Sequence, residues 1–91
     1  MNALILEFAK SFTKGRLSAE VFVEAYMEMW RIERDNNNIL KYEGKLSECL
    51  SSIFCLADLY NSDPDDREEY ELDNEQLCEK VSQLINQLVN S

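Results

Sequence analysis

The sequence predicts an all-α protein, an antiparallel four-helix bundle. Four segments repeat apolar residues at helical spacing. The chain has only two glycines and one proline, whereas a β-sheet needs several such turn-forming residues. Its 91 residues suit a single domain spanning residues 1–91, large enough to bury a core without disulfide bonds. Four amphipathic helices with short connections bury their apolar faces best as an antiparallel bundle.

The first two predicted helices have recognisable ends. The first covers about residues 2–13, and Gly15 follows it, where a left-handed residue can end a helix. The second begins after Ser18, a good N-cap, and it should end in the Asp- and Asn-rich run 35–38. The predicted inward faces are Leu4, Ile5, Phe8, Ala9 and Phe12 in the first helix, and Phe22, Ala25, Tyr26, Met29 and Ile32 in the second.

The last two helices are predicted from the same periodicity. The third covers roughly residues 46–60, with Gly44 expected to break any earlier turn. The fourth begins at Asp73, which forms an approximate capping box with Gln76 three residues later. Their apolar stripes are Leu46, Cys49, Leu50, Ile53, Ala57 and Tyr60 in the third helix, and Leu77, Val81, Leu84, Ile85 and Leu88 in the fourth.

The N-terminus and the cysteines indicate a cytoplasmic protein. The first residues lack the basic start and long apolar stretch of a signal peptide. No window approaches the roughly 18 consecutive apolar residues of a membrane span. The three cysteines, Cys49, Cys55 and Cys78, form no CxxC pair, and an odd number without a secretion signal favours reduced thiols. We expect all three to be small buried hydrophobic residues.

The acidic charge is the unusual feature of the composition. Eighteen acidic and nine basic residues give a net charge of −9, and there are no histidines. This balance excludes a protein that binds a phosphate backbone, which needs a positive surface. Nine of the acids lie between residues 63 and 79 and are opposed there only by Arg67, so this stretch carries −8. Clustered like charge destabilises the compact state by self-repulsion.

Two interpretations of this acidic stretch are open: a solvated loop that keeps the protein soluble, or a docking surface for a basic partner. Other uses of the carboxylates are disfavoured. A calcium loop starting at Asp63 would need glycine at its sixth position and glutamate at its twelfth, where Glu68 and Asn74 stand. Acid–base catalysis needs a walled pocket that a short connection in a small bundle does not offer. We therefore predict no enzyme activity, no metal and no cofactor.

The chain resembles the colicin D-type immunity proteins, the bacterial self-protective colicin-like immunity family. The matching features are a first helix ending in Phe12 and Gly15, then the run of residues 17–22 (LSAEVF) and a long second helix through Trp30 to Arg34 and Asp35. The acid-rich connection and the entry of residues 70–73 (YELD) into the last helix complete the pattern. The resemblance covers most of the chain, although residues 36–44 do not align convincingly.

The resemblance implies a four-helix antiparallel bundle that binds the nuclease domain of a cognate toxin. That toxin would be an RNase that cuts tRNA in the anticodon loop, delivered by a bacteriocin or by a contact-dependent growth inhibition system. The immunity protein would act in the cytoplasm, in a 1:1 complex with the toxin. The net charge of −9 separately favours a monomer that binds neither nucleic acid nor an anionic membrane directly. It would not itself be an enzyme.

A mimic of RNA explains why such a protein is acidic. A tRNA nuclease presents a basic groove, because phosphate contacts dominate affinity for nucleic acids. Glu48 is a weaker candidate for contact with the toxin than the residues named below. Tyr60 suits two roles equally well, an anchor in the toxin interface or a cap on the core. The residues predicted to bind the toxin are Asp58, Asp63, Asp65, Asp66, Glu68, Glu69, Tyr70, Glu71 and Asp73.

A second hypothesis belongs to a different class of protein. The chain could be a small acidic helical adaptor, or a nucleic-acid mimic, that binds another basic protein. Gene order discriminates between the two, since an immunity gene should lie directly downstream of a large toxin gene. Loss of an immunity gene should be lethal only when that toxin is present.

Overall fold

The structure, a computed structural model, describes residues 3–90 and confirms the all-α class. Its four α-helices are α1 (Leu4–Thr13), α2 (Ala19–Asp35), α3 (Gly44–Asp58) and α4 (Asn74–Val89). A single 3₁₀ turn, Ile39–Lys41, lies between α2 and α3. Over residues 3–90 there is no β-strand, and an isolated bridge between Tyr60 and Leu72 is the one β-type pairing.

The four helices form a closed antiparallel bundle, as predicted. Helix α1 packs against α2 and α4, and α3 packs against the same two helices. Phe12 near the end of α1 stacks on Phe22 near the start of α2, with ring centroids 4.2 Å apart. The Cys49 thiol near the start of α3 donates to the Leu84 carbonyl near the end of α4, at 3.8 Å. The end of α1, the start of α2, the end of α3 and the start of α4 therefore share one end of the bundle.

The predicted helix starts at Ser18 and Asp73 are confirmed. The Ser18 hydroxyl accepts a hydrogen bond from the Val21 amide at 3.2 Å. Asp73 and Gln76 form a complete capping box, in which each side chain accepts a hydrogen bond from the other residue's backbone amide. These bonds satisfy amides that have no partner within their own helix. Gly15, with a φ of +80°, provides the predicted left-handed residue after α1.

Helix α3 begins two residues earlier than the sequence predicts. Gly44 is its first residue and does not break the turn, and the Ser47 amide donates to the Glu43 carbonyl at 2.9 Å. A glycine destabilises a helix interior, but at the first position its own amide has no helical partner to lose. The helix also ends at Asp58, two residues before the predicted end, because the chain there turns into a pairing with residue 72.

Phe22 and Tyr26 of α2 are the largest side chains at the centre of the core. Both are fully buried, and their rings contact each other with centroids 5.2 Å apart. The Tyr26 hydroxyl donates to the Leu50 carbonyl of α3 at 2.7 Å, so burial leaves no unpaired phenol. Burial also raises the pKa of Tyr26, which keeps the hydroxyl in its neutral, donating form. This bond joins α2 to α3 at mid-height of the bundle.

Three residues predicted to be buried are exposed. Leu4 is 77% exposed and Ile32 is 50% exposed, although Ile5 in the same turn as Leu4 is buried. Leu4 and Ile32 lie roughly 100–120° around their helices from the buried Ile5 and Tyr26, so they point away from the core. Cys55 is also exposed, whereas Cys49 is buried and Cys78 half-buried, and all three thiols are free. Cys55 lies two positions from the buried Ile53 and Ala57, and two residues turn a helix by more than half a circle.

Within residues 3–90, no helix combines the length and the apolar character needed to cross a bilayer.

Replacing Phe22 with alanine should unfold the bundle far more easily than replacing its neighbour Val21. Phe22 is fully buried and Val21 is 53% exposed. Deleting a buried phenylalanine costs about 3–5 kcal/mol, whereas exposed substitutions stay within about 0.5 kcal/mol. Urea denaturation followed by circular dichroism measures both. Equal losses for Phe22→Ala and Val21→Ala would contradict the packing described here.

Candidate functional site: a hydrogen-bonded acidic loop

The connection between α3 and α4, residues 59–73, forms a closed loop at one end of the bundle; we call it the acidic loop. Its two ends are paired side by side, because the Leu72 amide donates to the Leu59 carbonyl at 2.8 Å and the Asn61 amide donates to the Leu72 carbonyl at 3.0 Å. Leu72 is buried in the shared core. The pairing and this anchor attach the loop firmly to the helices that carry it.

Asn61 forms hydrogen bonds with residues spread along the whole acidic loop. Its side-chain nitrogen donates to a carboxylate oxygen of Asp66 at 3.2 Å and to one of Glu71 at 3.2 Å. Its side-chain oxygen accepts from the Asp63 amide at 3.0 Å. Its carbonyl accepts from the Arg67 guanidinium at 2.9 Å. Asn61 therefore links four separate positions along the loop.

Asp63 forms the turn at the start of the acidic run. Its carboxylate accepts from the Asp65 amide at 2.9 Å, the side-chain turn that aspartate commonly forms two residues on. Its carbonyl accepts from the Asp66 and Arg67 amides at 3.2 and 2.9 Å. Asp63 thus holds the backbone of the loop as well as carrying charge.

Glu71 holds the other side of the acidic loop. One carboxylate oxygen accepts from the Glu68 amide at 2.9 Å and from the Asn61 side chain. The Glu71 amide in turn donates to the Glu68 carbonyl at 3.0 Å. The Glu68 amide, then the Asn61 amide group and the charge of Arg67 hold the pKa of Glu71 below its ordinary value. The ionised form of Glu71 is therefore part of the loop's structure.

The predicted acids divide into two groups. Asp63, Asp66, Glu71 and Asp73 accept hydrogen bonds that shape the loop or cap α4; we call them the frame acids. The side chains of the second group are exposed and, within residues 3–90, have neither a hydrogen-bond nor an ion-pair partner. These free acids are Asp58, Asp65, Glu68 and Glu69.

The two tyrosines beside the acids differ in their surroundings. Tyr60 is half-buried, and its hydroxyl donates to the Asn74 side chain at 2.6 Å. Burial and the nearby charge of Glu20 raise the pKa of Tyr60. Tyr70 is 68% exposed. Tyr60 is thus built into the junction between the loop and α4, whereas Tyr70 is accessible to a partner.

A cleft extends the acidic surface onto α2. It has a volume of about 380 Å³ and lies between the start of α2 and the start of the loop. Its lining residues include Glu20 and Glu24, which sequence reasoning did not single out, and Tyr60, Asn61 and Ser62. Pairing of α2 with α3 places these two glutamates here, and no local pattern reveals that pairing. Glu48, the weaker candidate, lies near the start of α3 at the opposite end of the bundle.

The sequence does not reveal that Asn61 and Arg67 hold the loop together. Arg67 was visible as the lone base among the acids, and its role is to donate to the Asn61 carbonyl. Nothing in the sequence around Asn61 indicates contacts that reach ten residues along the chain.

Residues 3–90 contain no group of three cysteine, aspartate or glutamate side chains arranged to hold a metal ion.

The fold and the site define a small helical bundle that presents a braced acidic loop at one end. The chain belongs to the bacterial self-protective colicin-like immunity family, whose model matches residues 1–88. This confirms the resemblance seen in the sequence. No curated protein sequence matches the chain. The family consists of non-catalytic inhibitors, and membership implies that the partner is a cognate toxin protein.

Replacing Glu71 with glutamine should destabilise the protein at neutral pH and much less in acid. A carboxyl whose pKa is lowered by folding stabilises the native state above its ordinary pKa, and that stability is lost as the pH falls through the lowered value. The ordinary value for Glu71 is 4.5. Thermal unfolding at neutral pH and at about pH 3 measures the difference.

The matched control is Glu69→Gln, because Glu69 has the same charge and no partner within residues 3–90. We expect it to change the melting temperature little at either pH. A Glu71→Gln deficit that stayed constant between the two pH values would show that the ionised carboxylate does not stabilise the loop.

Proposed function

We propose that this protein neutralises the nuclease domain of a cognate bacterial toxin by inserting the acidic loop into the basic groove of that domain. The toxin is a tRNA-cleaving RNase, delivered as a bacteriocin or by contact-dependent growth inhibition. The protein acts in the cytoplasm as one domain and one copy per toxin, and it catalyses no reaction. Its family membership supports the immunity role, and the free acids support the acidic mimicry.

One observation carries the proposal: the free acids have no hydrogen-bond or ion-pair partner within residues 3–90, yet three of them, Asp65, Glu68 and Glu69, lie on a braced loop. Clustered carboxylates repel one another and destabilise the native state. Asp58 adds to this cost, because it is the last residue of α3 and a helix C-terminus favours cations over anions. Because no interaction within residues 3–90 offsets the repulsion among these charges, we infer that they bind a partner.

A nuclease groove supplies the compensation. The groove must bind RNA phosphates, so it carries lysine or arginine side chains in an arrangement that suits regularly spaced anions. Carboxylates on a rigid loop can occupy the same positions as phosphates. Opposite potentials also accelerate encounter, up to about 10⁸–10⁹ M⁻¹s⁻¹ at low salt. Rapid capture suits an inhibitor of a toxin that acts catalytically.

The two groups of acids should contribute in different ways. The free acids Asp65, Glu68 and Glu69 contact the toxin directly, with Asp58 beside them. Truncating a carboxylate that becomes buried in a charge pair costs about 2–5 kcal/mol, whereas a rim acid mainly changes the association rate. Asp63, Asp66, Glu71 and Asp73 act chiefly through the shape of the loop. Tyr70 suits an interface anchor, because exposed aromatic residues are enriched among binding hot spots.

Reversing two free acids should abolish protection against the toxin. We predict that Glu68→Lys/Glu69→Lys weakens binding by more than about 100-fold, since it replaces two attractive contacts with repulsive ones. The matched control is Asp35→Lys/Glu43→Lys, an equal change in net charge at the end of α2 and the N-cap of α3, at the opposite end of the bundle. Survival of cells expressing the toxin domain encoded next to this gene, and calorimetry with an inactivated form of that domain, measure the effect.

Three outcomes separate the hypotheses. Loss of protection in the Glu68/Glu69 variant alone supports the acidic mimic. Equal protection by both variants would place the toxin contact elsewhere on the bundle. If deletion of the gene were harmless in the presence of the adjacent toxin, the alternative of an acidic helical adaptor would replace the immunity role.

A further inference from the structure

We propose that the side-chain amide of Asn61 is a positioning group that sets the loop in its toxin-binding shape before the toxin arrives. This inference rests on the proposed function and adds a residue that is not itself a contact. Asn61 is half-buried at the base of the acidic loop, whereas the free acids are exposed at its surface. Its effect on the toxin would therefore be indirect.

Hydrogen bonds lead from Asn61 to the backbone of two free acids. Its side-chain oxygen accepts from the Asp63 amide, and the Asp63 carboxylate accepts from the Asp65 amide. On the other side, its side-chain nitrogen donates to Glu71, whose same oxygen accepts from the Glu68 amide. Asp65 and Glu68 are thus each two hydrogen bonds away from one amide group. Within residues 3–90, no other side chain is hydrogen-bonded to both Asp63 and Glu71.

The chemistry of this position requires an amide. The side chain of Asn61 donates to two carboxylates and accepts from a backbone amide at the same time. Aspartate has nearly the same shape but only accepts hydrogen bonds when ionised, so it would face Asp66 and Glu71 with a third negative charge. Alanine would leave the Asp63 amide without its acceptor. A carboxamide of this length is therefore the group that fits the arrangement.

Holding the loop in advance should improve capture of the toxin. Ordering a loop at the moment of binding costs affinity, and a loop that is already ordered avoids that cost. Asp63, Asp66 and Glu71 are hydrogen-bonded to Asn61, whereas the side chains of Asp65, Glu68 and Glu69 stay exposed. The Asn61 amide accordingly acts on affinity through the frame acids rather than through contact with the toxin.

The first test follows the free protein by amide hydrogen exchange. In Asn61→Asp we expect the backbone amides of Asp65, Arg67 and Glu68 to exchange about tenfold faster, the effect of losing roughly one hydrogen bond's net stabilisation. Amides in the core helices, such as those of Leu50 and Val81, should keep their protection. The control Asn86→Asp adds the same charge on an exposed face of α4 near the opposite end.

A double variant distinguishes the effect of moving a carboxylate to position 61 from the effect of adding a negative charge to the protein. Asn61→Asp/Glu71→Gln exchanges the carboxylate and the amide across one hydrogen bond and leaves the net charge at −9. The glutamine oxygen can still accept from the Glu68 amide, and the glutamine removes the charge of Glu71 that would otherwise repel the carboxylate introduced at position 61. We therefore expect partial rescue, with exchange at Glu68 closer to that of the native protein than in Asn61→Asp alone.

The second test measures association with the inactivated toxin domain encoded beside the gene. We expect Asn61→Asp to slow association about tenfold, within the range seen among variants of one interface, with partial recovery in the double variant and no change in Asn86→Asp. Unchanged loop exchange, or faster exchange with unchanged association, would overturn the positioning role of Asn61. Native association by Glu68→Lys/Glu69→Lys would instead refute the proposed function itself.

Discussion

Repulsion among carboxylates is the constraint around which the acidic loop is organised. Seven acids and a single base lie between residues 59 and 73, so ion pairing cannot balance the charge. The structure instead uses neutral donors: the backbone amides of Asp65 and Glu68 and the side-chain amide of Asn61. These donors stabilise ionised carboxylates without neutralising them. The loop therefore keeps both a defined shape and nearly all of its negative potential.

The bundle determines where this potential lies. Antiparallel packing brings the end of α3 and the starts of α2 and α4 to one end, so the loop, Glu20 and Glu24 form one acidic region. The buried Leu72 connects the loop to the core. Elsewhere on α2, Arg31 and Arg34 are ion-paired with Glu28 and Asp35. Charge is therefore balanced locally there, unlike in the loop.

The sequence predicts the parts of this arrangement that depend on neighbouring residues. The helix caps at Ser18 and Asp73 follow from hydrogen bonds spanning three residues, and they are confirmed. The exposure of Leu4, Ile32 and Cys55 was missed, because periodicity identifies an apolar face but not how far the neighbouring helices extend over it. The acids of the loop were found from composition alone. Their division into frame and free groups depends on Asn61, whose bonds to Asp66 and Glu71 exist only once the chain has closed.

That division has an evolutionary consequence. Because the side chains of the free acids make no hydrogen bond or ion pair within residues 3–90, substitutions there should leave folding intact while altering the charge pattern offered to a partner. As the sequence of its toxin changes, an immunity protein could therefore change at Asp65, Glu68 and Glu69 without losing its fold at any intermediate step. The frame acids, committed to the architecture of the loop, would meanwhile vary much more slowly.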